Sequence, residues 1–258
     1  HQLDGTESFT PLWEKEVREA SFILVTWMGT GLSCDFLKDA SRMMQKERII
    51  HLMKIADSGS DKVDFGLTPA EMEAIRGYFA SGGLQNYSSL CCWMLRRFQG
   101  LDCDVPEPVA MPWSGIYRPG LENGYLPVDR YRAAYCDPDK PTVGFLFYRG
   151  DWLWERLDYP DKMIEAIEKE GCNVLAMFTT TMASSQGAIS LGQSLRQSFI
   201  RDGKPVVDVL LNSFVFSLTV TGMTELKDLQ DLQVPILQCY NIYRDYKYWH
   251  ESMVGLTA

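Results

Sequence analysis

Seven consecutive residues, 148–154, hold Tyr148, Arg149, Asp151, Trp152 and Trp154. Aromatic faces of this kind stack on flat apolar ligands, and an arginine fork takes a carboxylate through two parallel hydrogen bonds. The same residues admit a structural role, with Trp152 and Trp154 capping a sheet core and Arg149 pairing with Asp151 or Glu155. Two more clusters of polar groups follow apolar runs: Thr179, Thr180 and Thr181, then Asn212 and Ser213 beside Phe214. Hydroxyls in such places serve as turn or helix-capping groups more often than as ligands. No nucleophile, acid or base stands out by type and spacing, so no catalytic residue is assigned.

Composition narrows the classes. The chain has 258 residues, 46% hydrophobic and 23% charged, which is enough apolar material for one large core or two ordinary ones. Its net charge of −9 leaves no basic surplus to displace counterions from phosphates, which argues against nucleic acid as a partner. The longest apolar runs, such as Val206–Leu211, are far too short to span a bilayer, and no signal-peptide pattern opens the chain. Seven cysteines, an odd number with no CxxC spacing, fit a reducing compartment, and a cytoplasmic location is expected. Three histidines, His1, His51 and His250, allow no HExxH, and no metal site is expected within the chain. No GxGxxG follows a strand and no Walker A lysine loop occurs, so a dinucleotide or P-loop nucleotide site is not expected. Cys91 and Cys92 beside Trp93, and the pair Met43 and Met44, read as helix-borne packing residues.

The elements that must carry these residues follow from periodicity. Residues 9–19 read as a short amphipathic helix, 21–27 as a buried strand, 35–47 as a helix, and 48–55 as a second strand before a turn-rich stretch at 57–61. Thr68, Pro69 and Glu71 form a capping-box signature for a helix that stops at Ser81-Gly82-Gly83, and a further helix spans about 85–98. Proline and turn pairs between 101 and 141 read as a linker. Beyond it come strands at 142–148, 172–178, 206–211 and 234–239, with helices at 161–170 and 189–201. Near-continuous apolar strands alternating with helices predict an α/β fold of two flavodoxin-like or Rossmann-like parallel-sheet units. The expected divisions are 1–104, a proline-rich linker over 105–141, and an incomplete second unit over 142–258.

Four segments give the chain a family likeness. They are LTPAEMEAIRGYFASGGLQNYSSLCCWMLRRF (67–98), SGIYRPG (114–120), PTVGFLFYRGDWL (141–153), and VVDVLLNSFVFSL (206–218) followed by LQVPILQCYNIYRDYKYWHESMVGL (232–256). In this order they resemble the cobaltochelatase and magnesium-chelatase large-subunit family, which includes CobN and the magnesium-chelatase H subunit. One departure is visible: where the family usually has a small-residue turn, this chain has Ser213-Phe214-Val215-Phe216.

The resemblance implies an early part of a much longer polypeptide, one that binds a tetrapyrrole and supports insertion of a divalent metal. The implied reaction places cobalt in a corrin precursor, since Phe147-Tyr148-Arg149 is more similar to the cobalt branch, or magnesium in protoporphyrin. Substrates would be the tetrapyrrole and the metal, and partners the remainder of the polypeptide and separate ATPase motor subunits that consume ATP. Acidic and histidine residues discussed for metal insertion lie in later segments of the family, so a complete active site is not expected here. His250 would be a ligand for iron or cobalt only if it were not packed among its aromatic neighbours. Two other readings keep the resemblance: removal of iron from haem in iron acquisition, and a non-catalytic docking or scaffold domain using Tyr240, Tyr243, Tyr246, Tyr248 and Trp249. A tetrapyrrole is a flat apolar ring edged by carboxylates, and ligands of open parallel sheets bind beyond the carboxyl ends of strands. The expected ligand-binding set is therefore Tyr148, Arg149, Asp151, Trp152, Asn212 and Ser213, with no metal ligand.

Overall fold

The computed structural model describes residues 9–27, 35–55, 63–180, 189–214, 229–239 and 246–251. The chain divides into two compact units, His1–Met111 and Pro112–Ala258.

The first unit runs α1 (Pro11–Glu19), β1 (Ile23–Trp27), α2 (Asp35–Lys46), β2 (His51–Ile55), β3 (Val63–Phe65), α3 (Pro69–Ser81) and α4 (Leu84–Gln99). Strand β1 lies parallel to β2, whereas β3 is antiparallel to β2. Alternation along the strands divides the core into two layers, as the two-residue pleat requires. Ile23 and Val25 pack with Phe36, Leu37 and Met44 of α2, while Leu24 and Leu52 pack with Ile75, Tyr78 and Leu90 of the helix pair. Helix α3 begins at the expected capping box: Glu71 N donates to Thr68 Oγ1 at 3.3 Å, and Thr68 N donates to Glu71 Oε2 at 2.8 Å. It ends because Gly82 and Gly83 both take positive φ, 66° and 84°, a conformation that costs a side chain about 1 kcal/mol or more. The proline-containing chain after α4 is strapped to the helix pair. Asn86 gives its amide to Val109 O and takes Val109 N–H, both at 2.8 Å, and Tyr78 Oη donates to Pro106 O at 2.7 Å.

The second unit contributes β4 (Gly115–Tyr117), β5 (Tyr125–Leu126), α5 (Val128–Tyr135), β6 (Thr142–Tyr148), α6 (Arg149–Leu153), α7 (Asp158–Lys169), β7 (Asn173–Thr179) and α8 (Leu191–Phe199). A two-residue hairpin, β8 (Ile200–Arg201) and β9 (Lys204–Pro205), precedes β10 (Val209–Asn212), β11 (Ile236–Gln238) and α9 (Tyr246–Glu251). One six-stranded sheet has the order β11-β10-β6-β7-β4-β5. Strands β7, β6, β10 and β11 are mutually parallel, and β4 is antiparallel to both β7 and β5.

Two expectations are corrected. The sheets are mixed rather than parallel, and residues 115–135, expected within a linker, supply β4, β5 and α5. Strands of three and two residues are too short to show a period, and their glycines mimic turn signals. Gly115 is required by packing: a Cβ there would lie 2.7 Å from the Tyr125 ring. The parallel core fits its sequence better. All seven residues of β7 are buried, and Phe145, Leu146 and Phe147 of β6 are fully buried, as expected for strands covered on both faces. Gly144 lets β10 approach, since a Cβ would meet Leu210 at 2.9 Å. Among the described residues no helix is long and apolar enough to cross a membrane.

Candidate functional site at the ends of two parallel strands

The chain leaves β6 for β7 on one side, then returns to β10 on the other side of β6. The two connections diverge from the carboxyl ends of β6 and β10, and such a reversal of strand order opens a crevice where α/β sheets bind ligands. The β6 end is Tyr148 leading into α6, and the β10 end is Asn212 leading into Ser213. Register places Asn212 beside Leu146, and Ser213 N–H donates to Leu146 O at 3.1 Å. Sequence residues more than sixty positions apart thus share one floor.

Most of that floor is buried and polar. Asp151 is 1% exposed. Its Oδ2 accepts from Tyr159 Oη at 3.1 Å, and its Oδ1 lies 3.1 Å from Arg156 Nη2. Tyr159 Oη is also 3.5 Å from Ser213 Oγ, and Ser213 Oγ donates to Leu146 O at 2.6 Å. Burial pushes the Asp151 carboxyl above its ordinary range, while the Tyr159 hydrogen bond and the Arg156 charge pull the other way. Asn212 donates from Nδ2 to Gln238 Oε1 at 2.7 Å and accepts Phe214 N–H at 3.2 Å, holding the turn after β10. Half-buried Tyr148 lies over Phe214 with ring centroids 4.5 Å apart.

Arg149 is 8% exposed and points into the unit. Its Nε donates to Pro112 O at 2.7 Å, and its guanidinium lies 4.4 Å from the Trp113 ring centroid. Burial lowers its pKa to about 10, which leaves it protonated at neutral pH. The ion pair of Asp151 is with Arg156. Trp152 belongs to the other flank: it stacks on Phe178 of β7 at 4.2 Å and 6°, and meets Tyr125 of β5 edge-on at 5.7 Å. Gly124 takes φ 68°, which strains any side chain, and a Cβ there would crowd the Trp152 indole nitrogen at 3.0 Å. Trp154, by contrast, is 46% exposed.

The strand ends therefore bring Tyr148, Asp151, Asn212 and Ser213 together, with Arg149 and Trp152 packed against neighbouring structure. Tyr159, Arg156 and Trp113 were not singled out by sequence. Tyr159 and Arg156 precede the expected start of a helix that in fact begins at Asp158, and Trp113 lay in the expected linker. Thr179 is fully buried, with its hydroxyl donating to Ser194 Oγ at 3.3 Å, and Thr181 lies outside the described residues, as do Val215 and Phe216.

The remaining candidates separate into packing and surface. Met43 and Met44 are buried under α2. Cys91 is exposed on α4 and Cys92 half-buried, so the packing role expected of both fits Cys92 better. His250 is exposed on α9, and among the described residues no group of three or more His, Cys, Asp or Glu side chains is placed to hold a metal ion. Of the aromatics considered for docking, Tyr240 and Tyr243 lie outside the described residues.

Known proteins resemble this chain throughout. The model of a family described as CobN/Magnesium Chelatase matches residues 76–258. Two uncharacterized proteins of Methanocaldococcus jannaschii are 33% and 28% identical to it, each over 70% of this chain and 15% of their own length. The aerobic cobaltochelatase subunit CobN of a Sinorhizobium species is 25% identical over 95% of this chain and 19% of its own. The catalytic subunit of cobaltochelatase from Mycobacterium tuberculosis shares the fold, with a TM-score of 0.61 at 16% identity, over 96% of this chain and 20% of that one. The chain thus spans 15–20% of the length of these relatives.

Proposed function

The chain belongs to the CobN/magnesium chelatase family, and we propose that it is part of the large subunit of a metal chelatase, contributing to tetrapyrrole binding through the crevice between β6 and β10. The observation that carries this reading is the order reversal at β6, which gathers Tyr148, Asp151, Asn212 and Ser213 at one mouth. We read the order β7-β6-β10-β11 as the parallel core of a flavodoxin-like unit, to which β4 and β5 add an antiparallel edge.

The tetrapyrrole and a divalent metal are the substrates, with cobalt and a corrin precursor the first choice. The rest of the polypeptide is the immediate partner, and separate ATPase subunits, in the cytoplasm, supply the energy of ATP. Metal insertion requires ring nitrogens to lose protons, two in a porphyrin and one in a corrin, while the ion sheds water, so the ring must be gripped at its edge and shielded on a face. In this division of labour Arg149 and Trp152 hold the loop 148–154 rigid, Asn212 fixes the facing turn, buried Asp151 and Ser213 form the polar floor, and half-buried Tyr148 faces the crevice. Rigid support of this kind is what a binding constellation needs.

Spectroscopic titration of the full-length protein with haem, protoporphyrin and a cobalt-free corrin precursor tests the reading. Saturable binding of at least one macrocycle, tightest for the corrin precursor, is the expected result. Absence of binding to all three would overturn it.

A further inference from the structure

On the loop between α6 and α7, after the carboxyl end of β6, one cation is both anchored and open. Arg156 has a side chain that is 60% exposed, yet its Nη2 rests 3.1 Å from Oδ1 of Asp151, whose side chain is 1% exposed. The backbone enforces this seat. Arg156 N–H donates to Asp151 O at 2.8 Å, and Glu155 adopts φ 55° to fold the chain back after α6. Asp151 is fixed in turn by Tyr159 Oη at 3.1 Å.

A guanidinium carries five N–H donors in a planar fork. Docking one edge on a buried carboxylate restricts the side chain to few rotamers, so less entropy is lost when the open edge takes a second anion. Arg149, by comparison, is 8% exposed and bonded to the Pro112 carbonyl from inside the unit. Two residues before Arg156, the half-exposed indole of Trp154 adds apolar surface on the same loop.

We propose that Arg156, seated on Asp151, receives a carboxylate at the edge of the bound macrocycle and is the anion-recognising residue of this site. The proposal rests on the tetrapyrrole reading above and names the part of the ligand that this loop recognises. Arg156 acts as a binding residue, and Asp151 as the residue that positions it.

Full-length protein is titrated with protoporphyrin and with its dimethyl ester, which keeps the ring and removes both carboxylate charges. Wild-type protein should bind the free acid more tightly. Arg156→Gln should weaken free-acid binding by about tenfold, the lower end for a hydrogen bond to a charged group, and leave ester binding unchanged. Arg156→Lys, which keeps charge without the fork, should fall between. Arg156→Gln leaves the buried Asp151 carboxylate with Tyr159 alone, so its melting temperature should fall somewhat, whereas Arg156→Lys, which keeps the charge, should hold it. A loss of affinity confined to the free acid is what marks recognition. Equal losses for acid and ester, or no loss for either, would overturn the assignment while leaving the tetrapyrrole reading in place. If wild-type protein binds neither form, nor haem or the corrin precursor, the tetrapyrrole reading fails and the assignment falls with it.

Discussion

Buried polar groups in the two units do different jobs. Among the described residues of the first unit they are Ser41, His51, Asn86 and Ser89. The bonds of three of them close on nearby backbone: His51 Nδ1 on Ile49 O at 2.8 Å, Asn86 on Gly82 O and Val109, and Ser89 Oγ on Gln85 O at 3.1 Å. They are scattered staples. In the second unit Asn173 staples backbone in the same way, at Asp137 and Lys140. But four of the eight buried polar residues described there, Arg149, Asp151, Asn212 and Ser213, collect at the carboxyl ends of two adjacent strands, and several of their bonds run from side chain to side chain. Burying such groups costs about 1–3 kcal/mol each when unpaired, so their concentration at one place is a departure from what folding alone favours. Both units contain a parallel strand pair joined through a helix, but the described sheet of the first has the order β1-β2-β3, with no reversal. Local βαβ grammar is common to both. Strand order separates a scaffold from a crevice.

The largest expected effect tests where the crevice stops. Trp152→Ala removes an indole stacked at 4.2 Å on Phe178 and should cost about 3–5 kcal/mol of stability, measured by denaturant unfolding. Macrocycle affinity of the folded fraction should fall only modestly, since Trp152 supports the loop from the sheet side. A large loss of affinity with little loss of stability would move Trp152 from the sheet core into the site and blur the contrast between core and floor.

Next is Asn86→Ala in the first unit. It strands Val109 N–H and O, whose bonds to Asn86 are both 2.8 Å, and should cost about 1–3 kcal/mol with faster amide exchange at Val109. Macrocycle affinity should not move. A change in affinity would mean that the first unit's staples also serve the ligand.

How much of this was legible in the sequence follows the physics of each signal. Long elements were readable: β6 and β7 each carry a run of five residues without a polar side chain, 143–147 and 174–178, and the capping box at Thr68 marks α3 to the residue. The crevice was half readable, because the rule about strand ends needs only the strands. Its partners were not. Tyr159 reaches Asp151 only because α7 starts three residues earlier than its apolar spacing suggests, and Arg149 meets Trp113 only because the chain before β4 turns onto the sheet. Side-chain exposure was also hidden. Trp152 and Trp154 are two residues apart on one short helix and its cap, yet one is 8% and the other 46% exposed, a difference set by β5 and β7 rather than by local sequence.

The smallest effect is the most diagnostic of the polar floor. Burial raises the Asp151 carboxyl above its unfolded value, and the Tyr159 bond and Arg156 charge only partly offset this. An acid with a raised folded pKa favours folding most when protonated. Its contribution is full below the unfolded pKa and is lost as pH rises through the folded pKa. Asp151→Asn keeps an acceptor for Tyr159 Oη and removes the titration. Unfolding of both proteins followed from pH 4 to pH 7 should therefore show the variant gaining on wild type as pH rises, with the gain levelling off once Asp151 is ionised. An exposed acid held by Arg156 alone would show the opposite trend, with wild type gaining as pH rises, because a carboxylate stabilised by a cation has a lowered folded pKa. The sign of the pH trend thus separates a desolvated carboxylate that anchors an arginine from an ordinary surface ion pair, and only the former gives the second unit a floor that the first lacks.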